Sequence, residues 1–497
     1  MILAFALLLC QAAAADDYFE RGMTLARDER WAQAQAAFEA GWKAAPNDKR
    51  FPLELAGLAF KQKQFGTSRR FLRSALRLDP EDSYAADFLA TIYMLDGNQE
   101  AALKYWNRAG KPRVEEIRTD PERAVDPVLL DRAFAFSPAA VLKLEEYQLT
   151  RERLAMLGVF PVRKLELVPR EEDSFDVVFR SAGPRAWWAS LLRGLPFRSV
   201  SPEFYNLGRS GTNLVSLVRW DAQKRRAFAE LSGPIARDAG KRYRVFLDAR
   251  NENWNVAGLG GFKLEKVEGG VGFKSIVNSR WEWGADLGIG TRRFRNSSLP
   301  GGASVYSEAR TRYRVVDMPE RRFEVVSEAT WRVGRTFMES LGLHSQGQGL
   351  LEARWFPQAR GEDYATVARV RAGKTFGPIP FDNLFMLGLE RDNDLLLRAH
   401  IGTERGRKGS APMARSYVLT NWEMDKLVYP AGFAKFTLGP FVDSGRAYTM
   451  AGGGSSKWLW DVGVQAKVRV PGGFTAVFSY GKDLRTGRGA FYARVEK

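Results

Sequence analysis

A chain of 497 residues is long enough for several domains, and 75 Lys and Arg against 58 Asp and Glu give it a formal net charge of +17 at pH 7. The basic residues are scattered among strand-like segments and do not gather in one patch, which argues against nucleic acid as a partner. Cys10 is the only cysteine, and His344 and His400 are the only histidines. That excludes a disulfide framework, a cysteine or histidine metal cluster and a histidine-based triad, so no metal and no cofactor is expected.

The chain opens on the apolar run Ile2-Leu3-Ala4-Phe5-Ala6-Leu7-Leu8-Leu9, followed by Ala12-Ala13-Ala14-Ala15. An apolar core and a small-residue cleavage site predict a secretory signal peptide over residues 1–15, which carries Cys10 away with it. The run is too short for a transmembrane anchor, and Leu9 ahead of Cys10 is a poor lipoprotein signal. No basic residue precedes the run, so the true start is expected slightly upstream. No later segment approaches the ~20 apolar residues of a spanning helix. Entry into a membrane would therefore require a closed barrel.

Over residues 17–110 the chain repeats itself at steps of 34 residues. Phe38, Leu72 and Trp106 occupy one register. Ala34, Ser68 and Ala102; Gly22, Ala56 and Ala90; and Gly41, Ala75 and Ala109 occupy three others, and Pro46 and Pro80 a fifth. Small residues let paired helices approach, and the large residue fills the groove to the next pair. The pattern resembles three tetratricopeptide repeats, with an unrelated helical bundle as the alternative. Stacked repeats present a concave surface suited to partner proteins and carry no chemistry of their own.

Residues 111–183 read as a small α/β module. Arg113 to Arg118 is a short strand. Pro127 starts a helical stretch through Phe134, and a longer helix is predicted from Ala139 to Leu157, closed by Gly158. Val162 to Val168 and Ser174 to Phe179 are alternating strands. The order strand, two helices, two strands resembles a POTRA domain, which implies a periplasmic position ahead of a barrel and a sheet edge able to accept an extended peptide. A generic α/β linker domain is the alternative. Trp187-Trp188 and Leu191-Leu192, with Arg185 and Arg193, predict an interfacial linker over 184–204.

Residues 205–497 alternate. Val462, Val464, Ala466, Val468 and Val470 oppose Asp461, Gly463, Gln465, Lys467 and Arg469. Tyr243, Val245, Leu247 and Ala249 oppose Arg244, Phe246, Asp248 and Arg250. Apolar residues on one face and charges on the other predict a lipid-facing wall around a polar lumen, a transmembrane antiparallel β-barrel of about 16 strands. Trp220, Trp254, Trp281, Trp283, Trp355, Trp422, Trp458 and Trp460 are expected in its aromatic girdles. The terminal sequence lacks the final aromatic usual in such barrels, and Phe491 is the candidate substitute.

Two short elements carry the most specific signal. Leu397-Arg398-Ala399-His400 is followed by the strand element Phe441-Val442-Asp443-Ser444-Gly445, in which Phe441, Asp443 and Gly445 share the less lipophilic face. Tyr417, Leu419, Asn421 and Glu423 are predicted inward on a neighbouring strand, so Glu423 is placed to join Arg398 and Asp443. The stretch Gly406-Arg407-Lys408-Gly409-Ser410 is expected to be a flexible loop. The pair resembles signature elements of the BamA/TamA-like outer-membrane assembly factor superfamily, which includes two-partner secretion transporters. The resemblance implies an Arg-Gly-aromatic loop folded into the lumen, its Arg on the Asp of a Phe-x-Asp-x-Gly strand: here Arg398 on Asp443. This chain departs in having Ala399 in the Gly slot and His400 in the aromatic slot.

No phosphate loop, nucleophile elbow or metal spacing appears, and no enzymatic activity is expected. Asp248, Glu252 and Asp286 are read as solvated lumen carboxylates. The resemblance implies an outer-membrane protein that inserts or translocates client polypeptides, with repeats and POTRA in the periplasm to receive clients and partner proteins, and lipid around the barrel. The alternative is a passive conduit exporting a polysaccharide, its repeats docked to a periplasmic partner.

Overall fold

Small residues at fixed spacing and alternating strands dictate two different architectures, and a computed structural model shows both. It describes residues 2–120, 124–160, 163–170, 174–181, 194–195, 198–338, 341–431, 434–450, 457–470 and 474–496. The Trp187-Trp188 linker lies outside them. The chain divides into two compact units.

The first unit comprises Met1–Ile117, Pro138–Leu144 and Leu167–Val177. Six helices run α1 (Ile2–Arg27), α2 (Trp31–Ala44), α3 (Arg50–Lys61), α4 (Phe65–Leu78), α5 (Ser83–Leu95) and α6 (Gln99–Trp106). The repeat register shows directly in their packing. A Cβ added to Gly22 would lie 2.4 Å from the Phe38 ring, and one on Gly41 would lie 2.3 Å from the Phe51 ring. Phe38, Leu72 and Trp106 are all buried. Asp82 and Asn98 cap α5 and α6 through Ala85 N and Ala101 N, each satisfying an otherwise orphaned donor. The third repeat ends early: α6 stops at Trp106, and Ala109 falls in a 3₁₀ turn closed by Gly110. With no further repeat to cover it, the Trp106 ring packs 5.0 Å from that of Phe175.

Residues 111–181 follow the order β1 (Arg113–Asp120), α7 (Pro127–Asp131), α8 (Leu144–Leu157), β2 (Arg163–Pro169) and β3 (Ser174–Ser181), the strands forming one sheet in the order β1-β3-β2. The longer helix begins at Leu144, five residues later than predicted. Ala139 N bonds Val114 O and Val114 N bonds Ala140 O, so this stretch is held against a strand and cannot coil. Gly158 ends α8 in the left-handed region, as a C′ residue should.

The second unit comprises Arg118–Ser137, Glu145–Glu166 and Val178–Lys497. Its strands close into a barrel of nineteen segments among the described residues, four of them two residues long. That leaves fifteen longer strands where about 16 were expected. Each long strand pairs antiparallel with the next, and the alternation sorts the side chains. Val245, Leu247, Leu287 and Ile289 are exposed on the outer wall, while Asp248, Asp286, Glu308 and Asp443 are buried. Trp220, Trp281, Trp283, Trp355, Trp422, Trp458 and Trp460 are exposed as expected of an outer wall. Trp254 is the exception: it is buried, 5.7 Å from the ring of Phe381. At one mouth, α7 and α8 meet the barrel turns. Asn206 Nδ2 donates to Ala124 O at 2.9 Å, Arg314 to Glu152 at 2.7 Å and Gln148 to Asp317 at 2.7 Å.

Candidate functional site

Strand Tyr364–Phe376 pairs directly with strand Met413–Ala431, so residues 377–412 leave the wall between two neighbouring strands. Their apolar residues decide where they go. Phe385, Leu387, Leu395 and Leu397 are buried with Tyr417, Leu419 and Ala447 of the wall. Phe381, Met386 and Ala411 are buried with Trp254, Val256, Phe262 and Leu264. The segment therefore lies inside the barrel, which is why Trp254 turns inward instead of joining a girdle.

Ion pairs hold it from two sides. Toward strands Thr212–Trp220, Lys224–Ile235 and Asp238–Val256, Glu390 pairs with Lys224 at 2.7 Å, and Asp392 pairs with Arg219 at 2.9 Å and Arg226 at 2.7 Å. Lys408 pairs with Glu252 at 2.8 Å. The stretch 406–410 is thus not a free loop. Arg407–Lys408 pairs with Thr403–Glu404 in a small hairpin, and Lys408 bridges in register to Trp254, because a buried ammonium needs its carboxylate. Asp248 is likewise paired, with Arg226 and Arg250, and Asp286 with Arg244 and Arg310. These carboxylates neutralise a basic lumen.

Toward the other side, the segment meets strands Met413–Ala431, Ala434–Met450, Trp458–Val470 and Phe474–Asp483. Their registers align Asn421 with Asp443, Asp443 with Asp461, and Asp461 with Asp483. Arg398 enters this row. Its Nε and one terminal nitrogen donate to Asp443 at 2.9 and 2.7 Å, and its backbone N donates to the same carboxylate at 3.0 Å. The other terminal nitrogen reaches Glu423 at 3.0 Å and Gln465 at 2.9 Å. A two-point guanidinium–carboxylate contact is the strong form of this pair. The guanidinium carbon lies 3.7 Å from the Phe441 ring centroid, a cation–π arrangement in a dry setting. Asn421 donates to Asp443 at 2.8 Å and to Leu396 O at 2.8 Å, joining wall to segment. Gln465 links Glu423 to Asp425, which takes Lys467 at 2.6 Å. Glu423 also takes Arg369 at 3.2 Å.

Two glycines make room. A Cβ on Gly481 would lie 2.4 Å from Arg398 O, and one on Gly463 would lie 2.6 Å from the Phe441 ring. Gly445 is less demanding, its nearest neighbour being the Leu419 side chain at 3.1 Å. Ala399 gives its backbone N to Asp461 at 2.7 Å, and its methyl is tolerated where the resembled motif has Gly. His400 does not act as an aromatic plug. Its Nδ1 lies 3.1 Å from Asp461 and its Nε2 lies 4.0 Å from Asp483.

Arg398, Asp443, Glu423, Phe441, Gly445, Ala399 and His400 thus converge on one row of the wall. The sequence places Asp461 and Gln465 on the polar face and Asn421 inward beside Glu423, but it does not join them, or Asp483 and Gly481, to Arg398. Which residue faces which depends on strand register, and no local pattern gives that.

The tetratricopeptide repeat family matches residues 25–108. No curated protein matches the chain in sequence. Among solved structures, CdiB from Escherichia coli is similar with a TM-score of 0.53 and 11% identity over 77% of this chain and 76% of that one. CdiB from Acinetobacter baumannii gives 0.49 at 10% identity, covering 78% and 74%. BamA from Haemophilus ducreyi lacking POTRA domains 1-3 gives 0.46 at 11% identity, covering 77% and 84%. The fold of the barrel is therefore like that of CdiB from Escherichia coli, with tetratricopeptide repeats at the N-terminal end.

Proposed function

Because the chain joins tetratricopeptide repeats to a barrel of this fold, we propose that it inserts or translocates client polypeptides at the bacterial outer membrane. In this reading residues 1–15 direct export, residues 17–110 and a POTRA-like 111–183 stand in the periplasm, and the barrel lies in lipid. The repeats receive periplasmic partner proteins. The strand edges of 111–181 take an extended client segment by main-chain pairing. No nucleotide or metal-driven catalytic step is assigned, and strand pairing and chain folding drive transfer.

The observation that carries the reading is the segment 377–412 held within the lumen by Arg398 on Asp443 and Glu423. A lumen filled by buried side chains and ion pairs weighs against a passive polysaccharide conduit. It fits a gated device whose plug must be displaced or whose wall must part. The test is site-specific photocrosslinking in cells from positions in the two edge strands, 113–120 and 163–169, with depletion of the protein in parallel. Nascent outer-membrane or secreted polypeptides should be captured and should accumulate on depletion. Capture of a polysaccharide synthase alone, with unchanged surface proteins, would refute the reading.

A further inference from the structure

One cluster beside the Arg398 network is not explained by it. Asp443, Asp461 and Asp483 stand side by side on three strands, all facing inward and all buried. Arg398 neutralises the first and is already shared with Glu423. Asp461 is 0% exposed. Its Oδ2 takes Ala399 N and His400 Nδ1, while its Oδ1 is enclosed with no hydrogen-bond partner among the described residues. Asp483 accepts the Thr486 hydroxyl and the Arg485 backbone N, neither of which carries a charge. Buried carboxylates are paired or coordinate metals, and the His400 imidazole that lies against both acids can carry at most one positive charge for the two.

We propose that His400, Asp461 and Asp483 bind one divalent transition-metal ion that clips the inward segment to strands Trp458–Val470 and Phe474–Asp483. The three groups each offer a ligand atom, and those atoms all lie within 4.8 Å of one another. The imidazole bridges the two acids. With Nδ1–H given to Asp461, its Nε2 lone pair faces Asp483 across 4.0 Å. Two ligands of one tetrahedral zinc, each about 2.0–2.2 Å from it, lie roughly 3.3–3.6 Å apart, so a closing shift of about half an ångström lets both groups reach one ion. A carboxylate holding the far nitrogen of a ligating histidine is the usual device for orienting it, and that is the part Asp461 plays at Nδ1. One imidazole with carboxylate oxygens suits zinc, and hard oxygen-only ions such as magnesium less well. A +2 ion also balances the two acids that Arg398 leaves uncompensated.

The test uses the purified full-length protein in detergent, stripped with chelator and titrated with zinc chloride by calorimetry. Heat-modifiable migration is the control for an intact barrel. Wild type should bind one zinc per chain, and so should His344→Gln, which removes the other histidine. His400→Phe, and His400→Gln if the aromatic disturbs assembly, should abolish that site. Asp461→Asn should weaken it about 10–100-fold, as loss of a carboxylate that orients a ligand does. Zinc should also slow thiol labelling of an Ala411→Cys variant, whose position is buried in the held segment. No stoichiometric zinc in wild type would mean that imidazole protonation alone balances the acids, and would overturn the proposal. So would zinc binding retained in an assembled His400→Phe or His400→Gln protein.

Discussion

Arg398→Ala should release the lumen segment more than Asp443→Ala does, and the bonding explains why. Asp443 is 0% exposed and receives three of the Arg398 hydrogen bonds. Without the guanidinium it keeps the Asn421 amide and the Arg398 position's backbone N, and no countercharge. The cost belongs at the upper end of the about 3–5 kcal/mol seen when one partner of a buried pair is removed. Without Asp443, Arg398 still has Glu423 at 3.0 Å and Gln465 at 2.9 Å, so the cost belongs at the lower end. At about 1.4 kcal/mol per factor of ten, the segment's release equilibrium shifts by roughly two to three and a half orders of magnitude. Ala411→Cys offers a clean reporter, because Ala411 is buried in the segment and Cys10, the only cysteine of the sequence, is removed by Cys10→Ser. Maleimide labelling of that thiol in detergent reads release, and heat-modifiable migration reads the barrel. The double alanine variant should be less affected than the sum of the single variants, since each strands the other's partner. Strict additivity, or Asp443→Ala exceeding Arg398→Ala, would refute the reasoning and leave a weak, hydrated contact worth about 0–1 kcal/mol.

Three further outcomes are expected. Gly481→Ala puts a methyl 2.4 Å from the Arg398 carbonyl oxygen, a main-chain atom that cannot swing aside. It should cost about 1–3 kcal/mol and speed Ala411→Cys labelling, and unchanged labelling would show that the segment does not rest there. Trp106→Ala removes a buried ring packed on Phe175 and should lower the stability of the repeat unit by about 3–5 kcal/mol. The helical signal at 222 nm should melt earlier while heat-modifiable migration is retained. Asp82 is partly desolvated, which alone would raise its pKa, but its bonds to Lys49 and to Ala85 N hold it below the ordinary carboxylate range. A depressed folded value means the contribution is present above the unfolded value of about 3.9 and is lost as pH falls through the folded one. Helix melting should therefore drop below about pH 4 in wild type and flatten in Asp82→Asn, and an equal acid response in both would count against the cap.

The helical repeats were legible because their determinants are local. Each repeat buries its small residues at a fixed step, so the registers of Gly22, Gly41 and Phe38 follow from spacing, while the contacts of Gly22 with Phe38 and of Gly41 with Phe51 come from the packing. The barrel's inside and outside were legible for a similar reason, since a period of two fixes the face of Asp461 without knowing its neighbour. What period cannot give is contact between distant segments. Trp254 read as a girdle residue because an aromatic near a strand end in an alternating wall belongs at the interface. It turns inward because residues 377–412 bring Phe381, Met386 and Ala411 to it. Lys408 read as part of a loose glycine-rich loop for the same reason: its partner, Glu252, lies 156 residues away. Asp461 and Asp483 lie on different strands, and only the registers Asp443–Asp461–Asp483 set them on either side of the His400 imidazole. Arg398 and Asp443 could be paired from sequence only through the resemblance of two short motifs. Nothing in either motif specifies Gln465, Asn421 or the bare Cα of Gly481. Yet these residues determine whether the guanidinium sits in a satisfied network or in a half-bonded one, which in a dry site would be worse than no charge at all.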